Sequence, residues 1–306
     1  MNILYAGTPS SSAIILRYLA NNKHINIKGV LTQPDKRGKR GSNLIQSPVS
    51  IEAKSLKLDT YKPESIDLNE IKEIISALDI DFLIVIAYGK IIPSWLLELP
   101  NNSSINVHFS LLPKYRGASP IQASLLNGDN DTGISIIKMT KDLDAGDIIS
   151  AFTIKINEDD NKLTLEDKLT KKCIAKIYET LKNMQDNKIE SQAQDHSRAT
   201  YCKKIKKTDS VIDFSETSDD IINKFRAYYE WPGLCFKYKD INIKIHGIHR
   251  TNEISTNKPG TILKLDMAGL YVNTGDKVVV ITYLQFPNKK IISSSDVFNS
   301  YKKFFQ

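Results

Sequence analysis

Residues 82–87 read Phe-Leu-Ile-Val-Ile-Ala, an unbroken apolar run with no polar face. A half-buried strand shows every second residue to water. A continuous run needs cover on both sides, which a central strand of a parallel sheet receives. Further strand-length runs lie at 2–6, 25–31, 104–108 and 133–138, and helix-compatible stretches at 10–21, 47–57, 67–78 and 120–127. The alternation predicts βαβ units, hence an α/β, Rossmann-like domain with a mostly parallel sheet flanked by helices.

The pattern changes after a helical stretch at 163–185 and a polar stretch at 192–210. One helix is predicted near 217–229. Short strands follow near 233–238, 241–249, 260–265, 269–273 and 277–286, separated by Gly-, Pro- and Asn-containing turns. Five short strands predict a C-terminal small β-barrel, OB-like in type. The expected organisation is therefore a first domain over 1–189, a linker over 190–208 and a second domain over 209–306. Most of the net charge of +7 falls in the C-terminal third. That asymmetry suits an anionic partner such as nucleic acid, and equally a solvated lysine-rich surface.

Cys173, Cys202 and Cys235 are widely spaced and form no CxxC, so neither a disulfide framework nor a zinc site is expected. The opening NILYAG is too short for a leader core, and no run approaches the ~20 apolar residues of a membrane span. A cytoplasmic, membrane-free setting is expected.

Three motifs invite chemistry and do not carry it alone. AGTPSSS at 6–12 lacks the second and third glycines of a dinucleotide fingerprint. DLDAGDII holds Asp142, Asp144 and Asp147, but a calcium loop would need a ligand where Gly146 stands and a Glu where Thr153 stands. By itself the stretch reads as a polar turn with solvated carboxylates. His246 and His249, three apart on a strand, should face opposite sides and cannot share one ion.

The stretch INVHFSLLPKYRGASPIQ at 105–122 differs. Asn106 and His108 are two apart, so on a strand an amide and an imidazole emerge on one face. Alone, a strand-end histidine is more often structural. Its company of an amide and nearby carboxylates, at loops a parallel sheet gathers at one edge, points to chemistry. A fixed amide N–H can stabilise an oxyanion, and losing such a donor typically costs ~100–1000-fold in rate. A histidine can protonate a nitrogen leaving group, and a carboxylate can keep that histidine charged or take a proton from an attacking amine. No Ser or Cys nucleophile is needed. The set suits direct acyl or formyl transfer between nitrogens.

That stretch closely resembles the signature of the folate-dependent formyltransferases. AGTP at 6–9, TQPDK at 32–36, VIAYGKIIP at 85–93, LDAGD at 143–147, ATYCKKI at 199–205, RAYYEWPG at 226–233 and PGTIL at 259–263 extend the likeness over nearly the whole chain. Within the superfamily, the full set resembles the methionyl-tRNA formyltransferases of translation initiation. The resemblance implies a catalytic set of Asn106, His108 and Asp144. It implies a folate pocket at Ala87, Tyr88, Gly89, Ile91 and Ile92, with Ser110, Leu111, Leu112, Pro113, Leu143 and Asp147. It implies tRNA contacts at Lys36, Arg37, Lys39 and Arg40, and at Lys203, Lys204, Lys206 and Lys207. Taken alone, KRGKRGSN reads as a solvated turn.

The implied co-substrate is 10-formyltetrahydrofolate, with no metal. The implied acceptor is initiator methionyl-tRNA, and the implied state is a cytoplasmic monomer. Phe109, Asp142, Ala145, Ser42 and Asn43 depart from the family's usual residues. Hydrolysis of formyl-folate and formylation of an amino-sugar nucleotide share the signature, and a non-catalytic RNA-binding protein is a rival of another class. Gln122, the basic loop at 36–40 and the basic C-terminal domain favour tRNA.

Overall fold

The computed structural model describes residues 1–38 and 44–305. In chain order the elements begin with β1 (Asn2–Gly7), α1 (Ser10–Ala20), β2 (Asn26–Leu31), β3 (Lys36–Arg37), β4 (Leu44–Ile45), α2 (Pro48–Ser55), β5 (Thr60–Tyr61) and α3 (Asn69–Ser76). Next come β6 (Phe82–Ile86), α4 (Ser94–Leu97), β7 (Ser103–His108), β8 (Arg116–Gly117), α5 (Pro120–Leu126), β9 (Asp131–Lys138), β10 (Ile148–Lys155) and α6 (Lys162–Gln185). The remainder is β11 (Tyr201–Cys202), α7 (Ser218–Ala227), β12 (Leu234–Tyr238), β13 (Ile241–Arg250), β14 (Ile262–Leu265), β15 (Leu270–Asn273), β16 (Val278–Gln285), β17 (Ile291–Ser293) and α8 (Ser294–Phe305). Two compact units emerge: Met1–Pro120 with Asp131–Lys155 and Glu166–Lys203, and Ile121–Asn130 with Ile156–Leu165 and Lys204–Gln306.

The first unit is built on a seven-stranded sheet in the order β10-β9-β7-β6-β1-β2-β5. Every residue of β6 is buried, as its unbroken apolar run requires. The pairings from β5 through β7 are parallel, whereas β9 and β10 run antiparallel. Leu4, Leu83 and Val85 of the sheet pack with Ile75 of α3, Ile80 and Leu96 of α4 in one apolar cluster. Helix α2 starts where its sequence says it should. The Ser47 hydroxyl accepts from the Ser50 N–H at 3.0 Å and Pro48 takes the first helical position. Strand β10 alternates between inward and outward residues, as an edge strand does, and so lacks the continuous run that marks β6.

The second unit holds a six-stranded antiparallel sheet in the order β12-β13-β16-β15-β14, with β17 also on β16. Its five longer strands fall where the turn residues place them. The end strands β12 and β14 do not pair with each other, so the barrel expected from sequence is an open half-barrel. Strand β17 and helix α8 are additions to the expected plan. Phe286 stacks on Tyr301 of α8 with ring centroids 4.4 Å apart, and Phe305 is buried. Register shifts on both sides of Gly247 break the alternation of β13, so strict face-counting does not apply between His246 and His249, and both are exposed. Helix α7 is capped by Thr217, whose hydroxyl accepts from the Asp220 N–H at 3.1 Å.

The polar stretch read as a linker is mostly exposed but is tied to the first unit at several points. Gln192 exchanges backbone hydrogen bonds with Ile148 at 2.8 Å, Gln194 is buried, and β11 pairs in parallel with β8. Gln194 is its one buried polar side chain, and most of the others are exposed.

Candidate functional site

Strand β7 lies between β6 and β9, with Asn106 across from Val85 on one side and Ile137 on the other. Its two-residue period puts the Asn106 and His108 side chains on one face, and both reach Asp144. Asp144 arrives by an unexpected route. It comes from the connection between antiparallel strands β9 and β10, not from a strand-end loop of the parallel part. Lys138 stands opposite Ile105, so the connection must fold back to bring Asp144 level with Asn106 and His108. Gly146 makes this possible, because a Cβ there would lie 1.9 Å from the Lys138 carbonyl oxygen. Asp144 itself has φ +50°, a left-handed conformation that Asp tolerates better than most residues.

The Asp144 carboxylate is the hub. Its Oδ1 accepts from Asn106 Nδ2 at 3.0 Å and its Oδ2 from the Gly117 N–H at 2.8 Å. His108 Nδ1 stands 3.6 Å from Oδ2. The His108 and Asp144 side chains are only 6% and 10% exposed, so their interaction is poorly screened. Neighbouring Cys202 feels this charge: burial pushes its thiol up, the Ser119 N–H opposes, and Asp144 adds to the rise.

The other nitrogen of His108 is committed. Nε2 lies 2.8 Å from the Tyr115 carbonyl oxygen, which can only accept, so Nε2 carries a proton and Nδ1 is the nitrogen free to gain or lose one. The loop supplying that carbonyl is tied down by side chains. The Ser110 hydroxyl donates to the Lys114 carbonyl at 2.6 Å, and the Ser135 hydroxyl donates to the Ser110 carbonyl at 2.8 Å while accepting from the Leu112 N–H at 3.0 Å. Ser110, Leu112 and Phe109 are buried, so these side chains brace the loop from within. Leu111 and Pro113 are half-buried.

Ala87–Ile92 follows β6, adjacent to β7 in the sheet. Ala87 and Gly89 adopt φ +49° and +80°. The Tyr88 carbonyl accepts from Thr8 Oγ1 at 2.8 Å and Gln33 Nε2 at 3.0 Å, which joins AGTP, TQPDK and VIAYGK at one point. A Cβ at Gly89 would meet Gln33 Nε2 at 2.4 Å. Tyr88 is buried, and burial pushes its phenol up to about 12. Ile92 is also buried. Ile91 and Leu143 are 92% and 65% exposed, apolar surface at the positions expected to meet a pterin. Asp147 accepts from the Ser191 hydroxyl at 3.3 Å and its carbonyl from the Lys138 N–H at 2.9 Å.

Lys36 and Arg37 are exposed on β3, which pairs with β4 in an antiparallel ribbon. Lys39 and Arg40 lie outside the described residues. Lys203, Lys204, Lys206 and Lys207 are exposed. Among the described residues no group of three or more His, Cys, Asp or Glu is arranged to hold a metal ion. Sequence reasoning missed Gly117 and the buried pair Arg116 and Gln194 at Asp144. The Arg-Gly pair inside the signature was a local signal for the first two.

Residues 1–181 match the model of the formyl transferase family, and residues 204–302 match its C-terminal domain. The methionyl-tRNA formyltransferase of Sulfurihydrogenibium sp. is 39% identical over 305 residues, covering 99% of this chain and 97% of that protein. That of Thermotoga neapolitana is 40% identical over 290 residues, 95% and 92% of the respective chains. The same fold occurs in WlaRD, a sugar 3N-formyl transferase solved in the presence of dTDP and 5-N-formyl-THF. It has a TM-score of 0.68 at 18% identity and covers 95% of this chain and 99% of that one. With both domain models matched and Asn106, His108 and Asp144 brought together, the chain belongs to the formyl transferase family.

Proposed function

We propose that this enzyme transfers the formyl group of 10-formyltetrahydrofolate to the amino group of initiator methionyl-tRNA. The observation that carries the chemistry is the meeting of Asn106 and His108 on the Asp144 carboxylate. The acceptor rests on identity to methionyl-tRNA formyltransferases across both domains.

The bound folate supplies a formyl group already activated on nitrogen. Exposed Ile91 and Leu143 give the pterin apolar cover, and the turns at Ala87 and Gly89 bring backbone polar groups close to it. The Asn106 amide spends one N–H on Asp144, which orients it. Its second N–H serves the formyl oxygen as negative charge develops there. His108 Nδ1 holds the mobile proton, with Nε2 anchored to Tyr115, and delivers it to the departing nitrogen. Asp144 stabilises the imidazolium and accepts the proton that the attacking amine loses. Lys36 and Arg37, the neighbouring Lys39 and Arg40, and Lys203, Lys204, Lys206 and Lys207 supply phosphate contacts.

The test is incubation with labelled 10-formyltetrahydrofolate and charged initiator tRNA. Label is expected at the aminoacyl end. Label released as formate at the same rate without tRNA, or passed only to an amino-sugar nucleotide, would reject the acceptor.

A further inference from the structure

We propose that Gln194 is a positioning residue for formyl transfer, holding the Asp144 turn in register through a buried clamp with Arg116. The inference rests on the role just given to Asp144. Gln194 is 5% exposed and Arg116 3%. The Gln194 Nε2 group donates to the carbonyl oxygens of Asp144 at 2.9 Å and Gly146 at 2.6 Å. Its Oε1 accepts from Arg116 Nε at 3.1 Å and Nη2 at 2.7 Å. Both donors and both lone pairs of the amide are thus used, and the arginine fork fixes which end of the amide faces the turn.

The clamp closes on itself. Arg116 precedes Gly117, whose N–H holds the Asp144 carboxylate, so the side chain of Asp144 is held by one residue of β8 directly and its backbone by the other through Gln194. Strand β8 is in turn fixed by β11, with the Arg116 N–H donating to the Thr200 carbonyl at 2.8 Å. Arg116 Nη2 also reaches His196 Nδ1 at 3.2 Å, which therefore acts as an acceptor. The stretch that composition marks as a linker thereby sets the geometry of the reacting carboxylate. A displacement of about 1 Å at such a group is enough to cost on the order of 100-fold in rate.

The test uses the full chain with Gln194→Ala, Gln194→Glu and Asp144→Asn. Turnover with charged tRNA is measured across pH beside the dissociation constant of 10-formyltetrahydrofolate. Gln194→Ala is expected to lower kcat about 10- to 100-fold while folate binding stays within about threefold. Gln194→Glu keeps the shape and the acceptor toward Arg116 but loses both donors when ionised. Protonation restores one donor, so its activity relative to wild type is expected to climb as pH falls, which a merely structural role would not produce. A pH-independent ratio for Gln194→Glu, or a Gln194→Ala kcat within threefold of wild type, overturns the inference. Should Gln194→Ala not fold, Gln194→Glu decides alone. Wild-type turnover in Asp144→Asn would instead remove the catalytic reading on which the inference stands.

Discussion

His108 Nδ1 faces Asp144 Oδ2 at 3.6 Å while its Nε2 is bound to the Tyr115 carbonyl, so the imidazole can exchange a proton at one nitrogen only. In the proposed mechanism this carboxylate is the partner of Nδ1, and an amide in its place carries no negative charge. Asp144→Asn is expected to lower kcat by about 100- to 10,000-fold. Single-turnover transfer beside folate binding checks this, and comparable losses in both would contradict it.

Asn106 donates a side-chain N–H to the Asp144 carboxylate of this pair. Asn106→Ala is expected to lose about 100- to 1000-fold in kcat with folate affinity nearly unchanged. Wild-type turnover in this variant would remove Asn106 from the reaction.

Gly117 adopts φ +116°, and a Cβ there would lie 2.3 Å from the Cys202 carbonyl oxygen. Gly117→Ala is expected to destabilise the fold by on the order of 1–3 kcal/mol and to lower activity through the lost N–H bond to Asp144. Chemical denaturation together with kcat measures both effects.

Lys36 and Arg37 are exposed on β3. If each engages a tRNA phosphate, removing one is expected to flatten the slope of log affinity against log salt by roughly 0.7–0.9. Titrations of tRNA at several salt concentrations provide the slope, and unchanged slopes for both Lys36→Ala and Arg37→Ala would exclude the contacts.

Glu52 of α2 accepts a hydrogen bond from Arg17 Nε of α1 at 2.8 Å, and this bond holds its carboxyl below the usual carboxylate range despite opposing burial. A pKa lowered on folding contributes stability above the unfolded value that is lost as pH falls through the folded one. Glu52→Gln is therefore expected to be less stable than wild type at neutral pH, with the difference shrinking in acid. Unfolding midpoints at neutral and acid pH check the direction.

The amino-acid sequence by itself determined the layered α/β plan and one face of the site. Six apolar residues in a row need cover on every side, which a central strand between helix layers receives, and the pairing of Asn106 with His108 follows from the two-residue period of a strand. Both are local consequences of side-chain pattern. Strand direction is not local. That β9 runs antiparallel to β7, that its connection folds back over Gly146, and that β12 and β14 do not pair with each other were decided by long-range pairing. The role of residues 192–202 was hidden for the same reason: a glutamine that bonds to water and one that bonds to a buried arginine and two carbonyls look alike in sequence. Only the tertiary structure decides whether a polar side chain finds its partners in solvent or in the chain.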